Sequence, residues 1–174
     1  MRSKGFTIVE IIVVVVVIGV LASIVVIAYN GVQENARLSK IKSDINQIIK
    51  AVNIARNNTG KTMGQITGSF YTAGGCANKS DGTDLAALAK TDPCWTRYLT
   101  SMANLSTASG MNLNDIVDPW GRPYEFDENE GEGGTGCGTD WIGAYAMPYI
   151  AAIYPPYPGS YVSISKSGNS GCSL

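Results

Sequence analysis

The apolar positions of this chain change rhythm along its length. From Ile11 to Tyr29 they form a nearly unbroken run of 19 residues, interrupted only by Gly19 and Ser23. At a rise of ~1.5 Å per residue the run spans about 28 Å, one bilayer core, so it predicts a membrane-length helix. From Leu38 the rhythm becomes helical. Leu38, Ile41, Ile45, Ile48, Val52 and Ala55 recur three and four apart, with Lys40, Lys42, Asp44, Gln47 and Lys50 between them. This is an amphipathic helix with one face prepared for burial. Asn57-Asn58-Thr59-Gly60 ends it, with Gly60 placed for a C-terminal cap. Phe6 to about Asn58 therefore predicts one helix of roughly 75–80 Å. Its first half would face lipid or other subunits and its second half a globular domain. The alternative, two helices joined flexibly, would break at Asn30-Gly31. No proline precedes Pro93, so no proline kink is expected, and Gly19 is left as the weak point.

Beyond Gly60 the pattern is less regular. Gly64, Gly68, Gly74 and Gly75 predict turns. The segment from Asp84 to Lys90 predicts a short helix, and Trp95 to about Leu105 a second one carrying Trp95, Tyr98, Leu99 and Met102 on one face. Asp118-Pro119-Trp120-Gly121-Arg122-Pro123-Tyr124 places two prolines and a glycine in seven residues, a tight pre-set turn with Trp120 able to seal the base of the domain. Tyr124-Glu125-Phe126 starts a strand, and Ser160 to Ser165 forms another. About 34 residues lie between these strands. They first hold Asp127, Glu128, Glu130, Glu132 and Asp140, broken by Gly131, Gly133, Gly134, Gly136 and Gly138. They then hold Tyr145, Tyr149, Tyr154, Tyr157 and Tyr161 interleaved with Pro148, Pro155, Pro156 and Pro158. The acidic part reads as a solvated turn. Calcium is its only cofactor candidate, on a spacing that matches no defined calcium loop. The aromatic part reads as an exposed or subunit-facing loop. The fold class is α+β: a long N-terminal α-helix packed on a small head with a short antiparallel sheet.

Charge and chemistry narrow the picture. Arg2 and Lys4 precede the apolar run and no basic residue follows until Arg37, which places the N-terminus in the cytoplasm and the rest outside. An ordinary secretory signal peptide fits poorly, because the apolar run is too long. The net charge is −1, and −3 without Arg2 and Lys4, so there is no basic field for nucleic acid. The chain has no histidine, which removes imidazole zinc sites and Ser-His or Cys-His nucleophile pairs. No phosphate-cradling loop is present either, and the chain reads as a non-enzyme. Glu10 stands out as a lone carboxylate opening an apolar helix. A charge at the bilayer centre costs about 2.5–3.5 kcal/mol, so Glu10 needs a partner, and none is expected within its own chain. Cys76, Cys94, Cys137 and Cys172 all fall on the outward side, where an even count favours disulfides over metal and leaves three pairings open. Asn57, Asn78 and Asn104 each open an Asn-x-Ser/Thr sequence, too common a pattern to argue from.

Gly5-Phe6-Thr7-Ile8-Val9-Glu10 resembles the prepilin leader junction of the type IV pilin and pseudopilin superfamily. A short basic leader, a Gly-Phe junction and a glutamate opening a bilayer-length helix coincide there. The resemblance implies cleavage between Gly5 and Phe6 by a membrane prepilin peptidase, N-methylation of Phe6, and pairing of Glu10 with the N-terminal amine of a neighbouring subunit. Asp118 to Tyr124 resembles the signature turn of major pseudopilins of type II secretion systems. The long insert after the turn departs from that pattern, and Ile27 stands near where the family often carries a proline. The favoured pairing is Cys76–Cys94 and Cys137–Cys172. The second resembles the C-terminal staple of many type IV pilins, and each is worth roughly 3–4 kcal/mol by chain entropy. The implied organisation is a leader at 1–5, a transmembrane and assembly helix at 6–29, an amphipathic half at 30–58 and a head at 59–174. The implied role is a structural fibre subunit of a type II secretion-type system, first held in the cytoplasmic membrane. Its partners would be copies of itself, the prepilin peptidase, the inner-membrane assembly platform, minor pilins and membrane lipid. A surface type IV pilus for adhesion, motility or DNA uptake is the alternative. A membrane-anchored binding module that never polymerises is the alternative of another class.

Overall fold

The computed structural model describes residues 7–130, 138–150 and 162–164, without the side chains of residues 24–28 and 30. The Gly5-Phe6 junction, Glu132, Cys137, Cys172, Tyr154, Tyr157 and Tyr161 lie outside the described residues. The elements are α1 (Ile8–Thr59), α2 (Met63–Thr67), a 3-10 turn (Thr72–Gly75), α3 (Pro93–Ser109), β1 (Tyr124–Asp127), β2 (Asp140–Ala144) and β3 (Val162–Ile164). The chain divides into two units, the first ending at Arg37 and the second beginning at Leu38.

The first unit is the N-terminal part of α1. Every described side chain from Thr7 to Ser23 is exposed, including the valine run Val13 to Val17. Consecutive β-branched residues are poor helix formers in water. In apolar surroundings the helix becomes the favoured state, because every backbone polar group is satisfied internally. Among the described residues no helix is long and apolar enough to cross a membrane. The stretch with described side chains runs from Ile8 to Ser23, about 24 Å. The backbone stays helical through Gly19 and through Asn30-Gly31, so the break expected for two separate helices is not found there.

The second unit is built around the stripe that opens at Leu38. Ile41, Ile45, Ile48, Val52 and Ala55 are buried, joined by Ala51 in the same face. They pack against Trp95, Tyr98, Met102 and Leu105 of α3 and against Tyr124, Phe126, Ile142 and Ile164 of the sheet. Gly60 closes α1 as expected, its N–H donating to the Arg56 carbonyl at 2.8 Å. Helix α3 begins earlier than its apolar face suggests. The Asp92 carboxylate accepts the Cys94 N–H, and Pro93 occupies the first turn. Gly64, expected in a turn, lies inside the short helix α2.

The segment from Asp84 to Lys90 is not the expected helix but a series of turns. Other partners take the backbone here, and propensity is a weak prior against them. The Asp84 carboxylate accepts the Ala86 N–H at 3.0 Å, and the Leu85 carbonyl accepts the indole N–H of Trp95 at 2.8 Å.

The sheet has the order β1-β2-β3, antiparallel throughout, with Tyr124 opposite Ala144 and Asp140 opposite Ile164. Its middle strand, β2, comes from the insert and is buried at every position, where a loop was expected. The final strand falls within the Ser160 to Ser165 segment, as Val162–Ile164.

The described part of the acidic segment is likewise not a solvated turn. Glu128, Glu130 and Asp140 are fully or almost fully buried. Arg56 of α1 donates from Nη2 to Glu130 at 2.9 Å and to Asp140 at 2.7 Å. The Asp140 carboxylate also accepts the Glu130 backbone N–H at 2.7 Å. Asp127 accepts the Trp141 indole N–H at 2.6 Å. Glu128 accepts both the N–H and the hydroxyl of Thr72. Nor do Tyr145 and Tyr149 form an exposed loop. Both are buried edge to face, 5.6 Å between centroids, and the Tyr149 hydroxyl donates to the Cys76 carbonyl at 2.7 Å.

Two predictions follow from these buried charges. Replacing Arg56 by Met leaves two buried carboxylates without their cation, a loss on the order of 3–5 kcal/mol. Denaturant unfolding of the detergent-solubilised chain measures it, and a change under about 1 kcal/mol would show that the triad is not structurally required. The second concerns pH. Burial pushes Glu128 up to about 7 and Glu125 up to about 8, from an ordinary 4.5. Burial raises Asp118 and Asp140 in the same direction. Within these windows the folded chain holds protons that the unfolded chain has released, so stability falls as pH rises from about 4.5 to 8. Glu128→Gln should be stabilising at pH 8, on the order of 2 kcal/mol, and nearly neutral at pH 5. Equal effects at both pH values would disprove it.

Candidate processing and assembly site

The residues singled out at the start of the chain are Gly5, Phe6 and Glu10, and of these the described structure contains Glu10. Thr7 precedes the first helical residue, Ile8. Its hydroxyl accepts the Glu10 N–H at 3.3 Å, while Glu10 Oε2 accepts the Thr7 N–H at 2.8 Å and the Thr7 hydroxyl proton at 2.7 Å. This is a reciprocal capping box. It corrects the expectation that Glu10 has no partner in its own chain. The signal was present as Thr7-x-x-Glu10, a spacing with a direct mechanism. The position also suits the charge, since the first turn of a helix presents unsatisfied N–H groups and the positive end of its dipole. Both Thr7 donors converge on Oε2, and Oε1 has no partner among the described residues.

The second site is the turn from Asp118 to Tyr124. The Asp118 carbonyl accepts the Gly121 N–H at 2.9 Å, and Gly121 takes a φ of 78°, a conformation that only glycine adopts cheaply. Asp118 Oδ1 accepts the N–H groups of Trp120 at 3.0 Å and Arg122 at 2.8 Å. Its Oδ2 accepts Arg122 Nε at 2.7 Å. Arg122 then donates from Nη1 to the Ala146 carbonyl and from Nη2 to the Tyr145 carbonyl, both at 2.8 Å. Its guanidinium carbon lies 4.8 Å from the Trp120 ring centre. Burial raises the Asp118 carboxyl, and the neighbouring Arg122 cation pulls it back.

Trp120 is only half-buried against the core, while Arg122 is 2 % exposed and ties the turn to the segment after β2. Arg122 is thus the anchor that attention to proline, glycine and tryptophan missed. Two further bonds join this region to α1. The Tyr124 hydroxyl donates to Asp44 and Lys40 donates to the Val117 carbonyl, each at 2.7 Å.

Cys76 and Cys94 form a disulfide, as favoured, packed with Leu85, Tyr145 and Tyr149. No group of three or more Cys, Asp and Glu side chains among the described residues is placed to hold a metal ion.

Residues 1–26 match the family model described as the prokaryotic N-terminal methylation motif, the prepilin signal of type IV pilins and pseudopilins. No curated protein and no solved structure matches the chain. The match covers the leader and the start of α1, and the head lies beyond it.

The turn geometry yields its own expectation. Lysine at position 122 keeps the charge but loses the planar fork that reaches Asp118, Tyr145 and Ala146 together. Arg122→Lys should cost roughly 2–4 kcal/mol. Thermal and denaturant unfolding should show the loss, and a wild-type midpoint would mean that charge alone holds the turn.

Proposed function

We propose that this chain is a structural subunit of a type IV pilus-like fibre, most closely a major pseudopilin-like protein of a type II secretion-type system. The observation that carries the reading is the N-terminal methylation motif on a helix whose described apolar side chains from Ile8 to Leu21 are exposed all round in the single chain. Such a helix needs lipid or other copies of itself as its solvent. The subunit waits in the cytoplasmic membrane with its N-terminus in the cytoplasm and its head outside. The prepilin peptidase cuts between Gly5 and Phe6, and the new Phe6 amine is methylated. Subunits then stack by their apolar helices, with the assembly platform and minor pilins as partners. In this scheme Thr7 occupies Glu10 Oε2 and orients the carboxylate, and Oε1 receives the amine of the neighbouring subunit. The role is structural, not catalytic.

The turn at Asp118 to Tyr124 favours the secretion pseudopilus. The surface pilus is the second reading, favoured by the long insert that supplies the middle strand β2. Cys137–Cys172 is retained as the proposed second disulfide, and non-reducing peptide maps should contain it.

Mass spectrometry of the membrane-extracted protein should find an N-terminus at methylated Phe6, and an N-terminus at Met1 or downstream of Ala22 would defeat the reading. Glu10→Ala and Glu10→Gln should both be cleaved normally yet fail to assemble, as seen by electron microscopy of sheared fractions. The glutamine variant keeps a capping acceptor and removes only the charge. Normal fibres from Glu10→Gln would show that capping, not charge, is what assembly needs. No fibres from the unmodified chain would favour the membrane-anchored binding module.

A further inference from the structure

Between the end of α2 and the middle of α3 the head holds an open cleft of about 220 Å³. Its side-chain walls are Thr67, Ser69, Thr96, Arg97, Thr100 and Ser101, so apart from Gly68 every lining residue carries a hydroxyl or a guanidinium. No carboxylate lies within ion-pair distance of Arg97 among the described residues. Its Nη1 donates to the Tyr71 carbonyl at 3.2 Å, which leaves Nε and Nη2 for a planar two-oxygen acceptor. The stem of Arg97 is also held. A methyl group at Gly75 would lie 2.4 Å from the Pro93 carbonyl oxygen and 3.0 Å from Arg97 Cδ, so the 3-10 turn sits directly on α3 here.

The floor of the cleft has a defined polarity. Ser101 is 1 % exposed, and its Oγ lies 2.8 Å from the Thr72 hydroxyl. Thr72 has one hydroxyl proton and gives it to Glu128. With Glu128 ionised, the Ser101 proton goes to Thr72, and the Ser101 oxygen keeps its lone pairs for a further donor. Ser69 accepts the Tyr71 N–H at 3.2 Å and keeps its own proton to donate. Thr96 and Thr100 stand one helical turn apart on α3 and present both donor and acceptor capacity.

A bare oxyanion would use the donors and waste the acceptor floor. A neutral sugar would use the hydroxyls and leave Arg97 idle. We propose that the cleft binds one carboxylate-bearing sugar unit, its carboxylate on Arg97 and its ring hydroxyls on Ser101, Thr96 and Thr100. The site lies wholly within the head and does not depend on which fibre is built. Repeated along any fibre, weak single sites become an adhesive surface for acidic polysaccharide through multivalency.

The test is calorimetric titration of the full chain, solubilised in a neutral polyoxyethylene detergent so that no sugar headgroup competes. The probes are a tetrasaccharide alternating glucuronate and N-acetylglucosamine, its carboxyl-reduced neutral counterpart, and inorganic phosphate. The acidic tetrasaccharide should bind with a Kd of about 1 mM or tighter, and the neutral one at least about tenfold more weakly. Arg97→Met should weaken binding of the acidic tetrasaccharide about tenfold or more, and Thr100→Val about three- to tenfold. Both positions are exposed, so near-UV circular dichroism should remain that of the unmodified chain. No binding at about 20 mM, or equal affinity in Arg97→Met, overturns the proposal. Equal binding of the neutral tetrasaccharide removes the role of Arg97 and overturns the proposal as well. Phosphate binding as tightly as the acidic tetrasaccharide reduces the cleft to an oxyanion site and overturns the sugar assignment.

Discussion

Arg56 is the buried charge that ties the end of α1 to the sheet of the head. Its guanidinium is buried in the last turns of α1 and needs negative partners there, since an unpaired buried cation is costly. Glu130 and Asp140 supply them from 74 and 84 residues away in sequence. Asp140 is also the first residue of β2, so the ion pair fixes where that strand begins. With β2 placed, β1 and β3 pair on either side of it, and Phe126, Ile142 and Ile164 meet the stripe of α1. A buried triad of this kind contributes little net stability compared with apolar packing. What it does is join Glu130 and Asp140, ten residues apart, to one point on α1.

That dependence explains which parts of the molecule were legible in the sequence. The Leu38 to Ala55 stripe was readable because a helix repeats its buried face locally. The end of α1 at Gly60, the helix around Trp95 to Leu105 and the turn at Gly121 rest on equally local chemistry. Strand β2 was not readable, because a strand buried on both faces shows no alternation. Its acidic entry looked solvated for as long as Arg56 was counted only as part of an amphipathic helix. The segment from Asp84 to Lys90 has helix-forming composition, but its carbonyls and amides are claimed by Asp84 and Trp95, and propensity is a weak prior against such partners. The Thr7–Glu10 capping box is a different kind of miss. The spacing was visible, and the charge drew attention away from the cap.

The two carboxylates that define the N-terminal segment and the turn solve the same problem in opposite ways. Asp118 is buried and is held by backbone N–H groups and a guanidinium, a fixed set that leaves the side chain no freedom. Glu10 is exposed in the single chain and is held through one oxygen only. The first arrangement suits a residue whose work is finished when the head folds. The second suits a residue with an interaction still to make, and a carboxylate oriented beforehand loses less side-chain entropy when that interaction forms.

The turn and α1 are also coupled within the second unit. Asp44 receives both the Tyr124 hydroxyl and the Lys40 ammonium, and Lys40 in turn donates to the Val117 carbonyl just before Asp118. The contacts span one turn of α1, from Lys40 to Asp44, and both segments of the chain that flank the proline-glycine turn. A shift of α1 along its axis by one residue would turn the Lys40–Asp44 face by about 100° and break both contacts to the head, Tyr124–Asp44 and Lys40–Val117, together. The apolar stripe alone resists such a slip less sharply, since dispersion contacts are individually small and non-directional. The polar latch therefore sets the register of the helix against the head, while the stripe supplies most of the stabilisation. If the proposed fibre transmits force from helix to head, that force passes through a few directional bonds backed by a broad apolar contact.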